Sequence, residues 1–312
     1  MPDFPPETLH LEALVQLAND VLASRESLHA NFSQPPETLA TILRVGTSAG
    51  GARAKAVITW NPQTGEIRSG QVSAGQNFEP WLLKFDGVSA NRDKELQDPL
   101  GYGRIEFAYH LMARAAGITM SDCRLLEENG RAHFMTRRFD RGPAGEKFHM
   151  QSLCAMGHFD FNQAGAYSYE QAFQTARRLQ LPQPDLTELY RRALFNILAR
   201  NQDDHTKNIA FLMDRRGGWR LAPAYDLIYA YNPDGAWTHR HQMTLAGKRE
   251  NFTTADLLGA AGPANLKPTK ARSILKQIHA AIADWDTHAA AAGVSADWIS
   301  EIGRNLRLDL QP

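Results

Sequence analysis

Cysteine is nearly absent from this chain, with only Cys123 and Cys154 among 312 residues. Neither belongs to a CxxC pair or a His/Cys cluster, so no zinc or redox centre of that kind is indicated, and both read as buried thiols in a reducing compartment. An excess of either charge is also lacking. The 34 Lys and Arg residues balance 34 Asp and Glu residues, and a formal net charge of +0 supplies no global field to gather nucleic acid or an anionic membrane. No apolar run reaches the roughly eighteen residues of a membrane-spanning helix, and the start, MPDFPPETLHLEALVQLAND, has no basic region followed by an uninterrupted apolar one. The chain is therefore expected in the cytoplasm. Hydrophobic residues at 43% and charged residues at 22% are ordinary for a globular protein, and the length suits one or two closely packed domains.

What is present changes character along the chain. Leucine and valine spacing predicts an amphipathic helix over 7–24. From Val45 onward, short β-rich runs (AKAVITW, WLLKFDGV) alternate with turn residues such as Asn61, Pro62 and Gly65, which predicts an antiparallel sheet. Ile105, Ala108, Leu111, Met112 and Ala115 recur at helical intervals before Gly117. A hairpin follows, CRLLEE and AHFMTRRFD, joined at Asn129-Gly130, a pair suited to the positive φ angles of a two-residue turn. Beyond Gly142, helices are expected over 168–178, 186–200, 254–261, 270–291 and 296–306, with one short hairpin from IAFLMD to GWRLA. Segregated strands and helices predict an α+β, two-lobed fold, with a β-rich N-terminal lobe over 1–141 and a helical C-terminal lobe over 142–312. A cleft is expected where they join, near Thr136 to Arg141.

The most informative segment is Asn201-Gln202-Asp203-Asp204-His205-Thr206-Lys207-Asn208, a polar loop between two apolar elements. Asp203 and Asn208 have the spacing of a kinase catalytic loop, in which the Asp accepts the substrate proton and the Asn holds magnesium. Asp226 returns a second carboxylate after one strand pair, where kinases place a metal-chelating Asp. Upstream, Lys84 lies in the strand-like WLLKFD and needs a partner for its charge, which Glu106 on the following helix could supply. Gly46, Gly50 and Gly51 in GTSAGGARAK let backbone N–H groups approach a phosphate. The segment is not a P-loop, because Ala52 and Arg53 follow where that motif requires Lys and Ser or Thr.

In this order, GTSAGGARAK, WLLKFD, NQDDHTKN and GWRLAPAYDL resemble the successive signature segments of the HipA-like toxin kinases. The resemblance implies a protein-kinase-like fold that transfers the γ-phosphoryl group of ATP to a protein Ser or Thr. It assigns the base to Asp203, nucleotide contact to Lys84, magnesium to Asn208 and Asp226, and autophosphorylation to Ser48. Thr136 and Phe139, at the lobe junction, are counted with Glu106 and the loop glycines among the nucleotide-site residues. A HipB-like DNA-binding antitoxin is the implied partner, with DNA reached only through it, and an aminoacyl-tRNA synthetase is an implied substrate. Only about forty residues precede the glycine-rich segment, which is similar to the short toxins of three-gene systems. There a separate small protein resembles the missing N-terminal subdomain.

Other readings of the same residues are a small-molecule kinase and a catalytically idle regulator that acts with an antitoxin. A metal-hydrolase cluster of His205 with Asp203 and Asp204 gives Lys84 and the glycines no role. His239 and His241 read as a solvated loop. Arg137, Arg138 and Arg141 read as a charged rim, since no interleaved aromatics accompany them.

Overall fold

The computed structural model describes residues 15, 53–70, 75, 77–87, 100–142 and 145–312. Two compact units divide the chain, Met1–Phe107 with Asp122–Arg138, and Ala108–Ser121 with Phe139–Pro312.

The first unit is built on a five-stranded antiparallel sheet of order β2-β1-β3-β5-β4: β1 (Lys55–Trp60), β2 (Ile67–Ser69), β3 (Glu79–Lys84), β4 (Cys123–Glu128) and β5 (Arg131–Arg137). Alternate residues of the strands share a face. Ala56 and Ile58 of β1, Trp81 and Leu83 of β3, then Phe85 and Met135, form one buried cluster, which Val15 also joins. Val15 is helical, and the rest of the helix expected over 7–24 lies outside the described residues. Asn129 and Gly130 both take positive φ, 46° and 78°, and the flanking Glu128 and Arg131 are directly paired, so the anticipated two-residue hairpin is present. Strand β2 was not anticipated. Three residues between turns are too few to display an alternation.

Helix α1 (Tyr102–Ala115) starts against β5, with no room to spare. A Cβ on Gly103 would fall 1.9 Å from the Ala132 carbonyl oxygen. Gly103→Ala is therefore expected to cost about 3 kcal/mol, as backbone rather than a flexible side chain must move. A urea midpoint equal to wild type would show that the helix start can shift freely.

The second unit has a three-stranded antiparallel sheet, β6 (His149–Ser152), β7 (Ala210–Met213) and β8 (Trp219–Leu221), in that order. Its helices are α2 (Leu153–Gly157), α3 (Tyr169–Arg178), α4 (Gln183–Leu198), α5 (Thr254–Gly259), α6 (Pro268–Ala283), α7 (Trp285–Ala291) and α8 (Ala296–Asn305). Helix α3 begins with a reciprocal capping box between Ser168 and Gln171, and α5 with one between Thr253 and Asp256. Leu186, Leu189, Tyr190, Ala193, Leu194 and Ile197 give α4 a continuous buried face.

Two sequence expectations need correction here. The single helix over 270–291 is two, because Asp284 leaves helical geometry at ψ 23° and takes the Thr287 hydroxyl at 2.7 Å. Trp285 is buried across the break and donates its indole N–H to the Ile299 carbonyl at 3.0 Å, so packing on α8 sets the direction of α7. Cys154, expected to be buried, is half-buried, while Cys123 is buried. Burial pushes the Cys123 thiol up to about 12, which keeps it protonated and inert.

Candidate active site

In the first unit the site is organised around a buried carboxylate. Glu106 projects from the second turn of α1, is 1% exposed, and receives the Lys84 ammonium on Oε1 at 2.5 Å and the Arg53 guanidinium on Oε2 at 2.8 Å. Lys84 stands at the end of β3, opposite Lys55 and Phe134 in the neighbouring strands. Lys84 and Arg53 thus bring two cationic donors to one buried carboxylate, and donors of this kind suit an anion such as a phosphate. Asp86, two residues beyond Lys84, holds this helix in place. Its buried carboxylate accepts the N–H groups of Gly101 (3.1 Å) and Gly103 (3.3 Å) at the helix start and of Ala132 (3.2 Å) on β5. Sequence reading gave Asp86 no role, although an acid closing a buried strand ahead of a helix was the available signal. Thr136 is half-buried on β5, paired with Leu82 and Cys123. Gly46, Ser48, Gly50 and Gly51 lie outside the described residues.

In the second unit the catalytic-loop candidate follows α4, which ends where Arg200 turns left-handed at φ 56°. Asn201 and Gln202 are then fixed on both sides: Asn201 N–H bonds the Asn196 carbonyl at 3.0 Å, and Gln202 N–H bonds the Ala230 carbonyl at 3.1 Å. Asp203 is half-buried. Its Oδ1 accepts the Trp237 indole N–H at 2.7 Å and lies 3.7 Å from His205 Nε2. Burial raises the Asp203 carboxyl above its ordinary value and the neighbouring Asp226 charge adds to that, while His205 and the indole bond oppose it. A short turn, Thr206–Asn208, brings Asn208 back so that its Nδ2 donates to the Asp203 carbonyl at 3.0 Å. That bond orients the Asn208 amide. Asp226 sits at φ 57°, directly after Tyr225, whose hydroxyl bonds the Lys207 carbonyl. The Ala224 N–H, bonded to the Thr119 carbonyl at 2.8 Å, pins the same segment from the other side. The Phe139 ring lies tilted against Tyr225, with centroids 5.7 Å apart, and packs on Ala210, Leu212 and Ala222.

Asp204 points the other way. It is buried, and its oxygens take the Tyr169 hydroxyl at 2.8 Å, His241 Nδ1 at 2.9 Å and the Gln242 N–H at 2.7 Å. Burial alone would raise its carboxyl, but the His241 imidazole and these hydrogen bonds outweigh burial and hold it below the ordinary value. His241 is fully buried, not solvated as its polar neighbours suggested. Arg307 Nη1 lies 2.8 Å from His241 Nε2 and can only donate, so Nε2 accepts and the proton sits on Nδ1, facing Asp204. Burial, with Arg307 and Arg200 nearby, lowers the His241 pKa and keeps this neutral tautomer. With Asp204 so engaged, the hydrolase cluster does not form, and among the described residues no group of three or more His, Cys, Asp or Glu side chains could hold a metal. Arg137 pairs with Glu79 at 3.6 Å and Arg141 with Asp140 at 2.6 Å.

The model of the HipA-like C-terminal domain matches residues 47–285, more than half of the chain. The chain belongs to the HipA-like family. Among solved structures, a chain of the Shewanella oneidensis MR-1 toxin–antitoxin complex of HipA, HipB and operator DNA is 18% identical. That likeness has a TM-score of 0.66 and covers 99% of this HipA-like chain and 72% of that one. It establishes the two-lobed, kinase-like α+β fold. The Sinorhizobium fredii (strain NBRC 101917 / NGR234) protein named "Putative kinase Y4mE" is 29% identical over 126 residues, 38% of this chain and 30% of that protein. The match thus spans under a third of that relative's length. Among the described residues of this HipA-like chain, no helix is long and apolar enough to cross a membrane.

Proposed function

We propose that this HipA-like protein is an ATP- and magnesium-dependent Ser/Thr protein kinase that acts as a growth-inhibiting toxin. The observation that carries the reading is the buried Lys84–Glu106 ion pair at 2.5 Å, the arrangement that positions a kinase lysine for nucleotide phosphates. An idle regulator has no use for a lysine held in this way. The residues also fit the implied metal, since the Asn208 amide oxygen and the Asp226 carboxylate are hard oxygen donors of the kind magnesium takes. Magnesium bound there would neutralise charge on the nucleotide phosphates.

The chain's own residues then divide the work. Lys84 contacts the nucleotide, with Glu106 fixing its direction. Asp203 orients the substrate hydroxyl and takes its proton as the hydroxyl oxygen bonds the γ-phosphorus, the β–γ bridging bond breaks and ADP leaves. Ser48 is the proposed site of autophosphorylation, a change of roughly −1.5 to −2 in charge that would repel ATP from the glycine-rich segment. A HipB-like antitoxin is the proposed partner, supported by the complex in which the solved relative was found. An aminoacyl-tRNA synthetase is the proposed substrate class.

Incubation with γ-labelled ATP and magnesium, alone and with whole-cell extract, tests this reading. The expected products are a labelled extract protein carrying phospho-Ser or phospho-Thr and a phosphorylated Ser48. Label confined to small molecules would make the protein a metabolite kinase, and nucleotide binding with no transfer would make it an idle regulator. Asp226→Ala is expected to weaken magnesium-dependent ATP binding by about tenfold or more. Unchanged Mg-ATP affinity by calorimetry would remove Asp226 from the metal site.

A further inference from the structure

One side chain near Asp203 has no part in the reading above. Trp237 lies in the loop after Tyr231, 34 positions from Asp203 in sequence, and its indole N–H meets Asp203 Oδ1 at 2.7 Å. The loop that delivers it is braced by the two residues flanking Asp203. Gln202 Nε2 donates to the Thr238 carbonyl at 3.0 Å, and Asp204 Oδ1 accepts the Gln242 N–H at 2.7 Å. Gln242 in turn returns its Nε2 to the Trp237 carbonyl at 2.5 Å and the Arg240 carbonyl at 3.0 Å. The catalytic-loop backbone and the Trp237 backbone are therefore tied to each other through these hydrogen bonds.

The two Asp203 oxygens differ in consequence. Oδ1 faces both the indole N–H and His205 Nε2, whereas Oδ2 receives no hydrogen bond from any described residue. A carboxylate turns easily about its last torsion, whose wells are broad, so a lone half-buried Asp would not hold one oxygen toward an incoming hydroxyl. A rigid donor on Oδ1 removes that freedom and presents Oδ2. Indole nitrogen is suited to the task, because it only donates and cannot itself take the substrate proton.

We propose that Trp237 is a positioning residue for phosphoryl transfer, holding Asp203 Oδ1 so that Oδ2 accepts the proton of the substrate hydroxyl. This rests on Asp203 being the base. Its effect is expected in the transfer step, because the atom that the indole N–H meets is a carboxylate oxygen of the proposed base.

The test measures initial rates of label transfer from γ-labelled Mg-ATP to extract protein at fixed extract, over a range of ATP, with the extract blank subtracted. Trp237→Phe keeps a ring and deletes the N–H, and Trp237→Leu is read in its place if the Phe variant does not fold by circular dichroism. Apparent kcat is expected to fall about 10- to 100-fold with KM for ATP unchanged. On the Asp203→Asn background, the same substitution is expected to lower the residual rate no further, since the group it serves is already gone. Wild-type kcat in Trp237→Phe, a KM that rises in step with the loss, or the same fold-loss repeated on Asp203→Asn would each overturn the inference alone. Full turnover in Asp203→Asn overturns the base assignment and this inference with it. Absence of transfer by the wild-type chain overturns the kinase reading and, with it, both.

Discussion

Asp203→Asn is expected to lower phosphoryl transfer by about 10²- to 10⁴-fold while leaving the fold and Mg-ATP affinity close to wild type. The amide is nearly isosteric, and Asn at this position can still accept the Trp237 N–H, so the loop loses its proposed base and little else. The half-buried position makes the loss of charge inexpensive, and burial already raises the carboxyl's affinity for a proton. Transfer assays with labelled ATP, set beside calorimetry of nucleotide binding, check both halves. A variant with full turnover would remove Asp203 from the mechanism.

Changing the next residue is expected to do the opposite. Asp204→Ala deletes a buried carboxylate that accepts from Tyr169, His241 and Gln242, and it strands Tyr169 and His241 without their acceptor. The expected cost is about 3–5 kcal/mol of stability, with activity lost through unfolding of the loop. Urea unfolding decides this, and a midpoint shift of less than about 1 kcal/mol equivalent would show that the network is dispensable.

The same pair predicts the acid response. His241 resists protonation when folded, so as pH falls below its ordinary value of 6.5 the unfolded chain gains a proton that the folded chain refuses, and stability declines. Asp204, depressed when folded, adds a second loss as pH falls below 3.8 toward its folded value. Stability from this network is thus fully present above about pH 6.5. A urea midpoint that stayed flat between pH 8 and pH 5 would contradict the buried neutral imidazole.

How legible each feature was depended on how local its cause is. The Asn-Gly hairpin, the lysine set among apolar residues in WLLKFD and the Asp203 to Asn208 spacing are contained in a few consecutive residues, and each could be read directly. The apolar period of α6 and α7 continues across Asp284 almost unbroken, so the sequence pattern carries no trace of the interruption that Trp285 imposes. Strand β6, His-Met-Gln-Ser, has two exposed and two half-buried residues and no alternation to detect. The Asp204 network was opaque for a different reason. Its partners lie 35 and 37 positions away, and a histidine flanked by Arg240 and Gln242 looks solvated until the fold places a carboxylate and a guanidinium on its two nitrogens.

The brace at Asp86 bears on how such an enzyme could be turned off. Some kinases idle by swinging the glutamate-bearing helix outward and parting it from the lysine. Here that swing would have to strip Gly101 and Gly103 from a buried carboxylate and pull Gly103 off the Ala132 carbonyl before Glu106 could leave Lys84. Each stripped bond leaves a buried polar group to be paid for. An inhibitor of this protein therefore has little to gain by working on that helix, and selection for an off state is directed to segments that can move without breaking the brace.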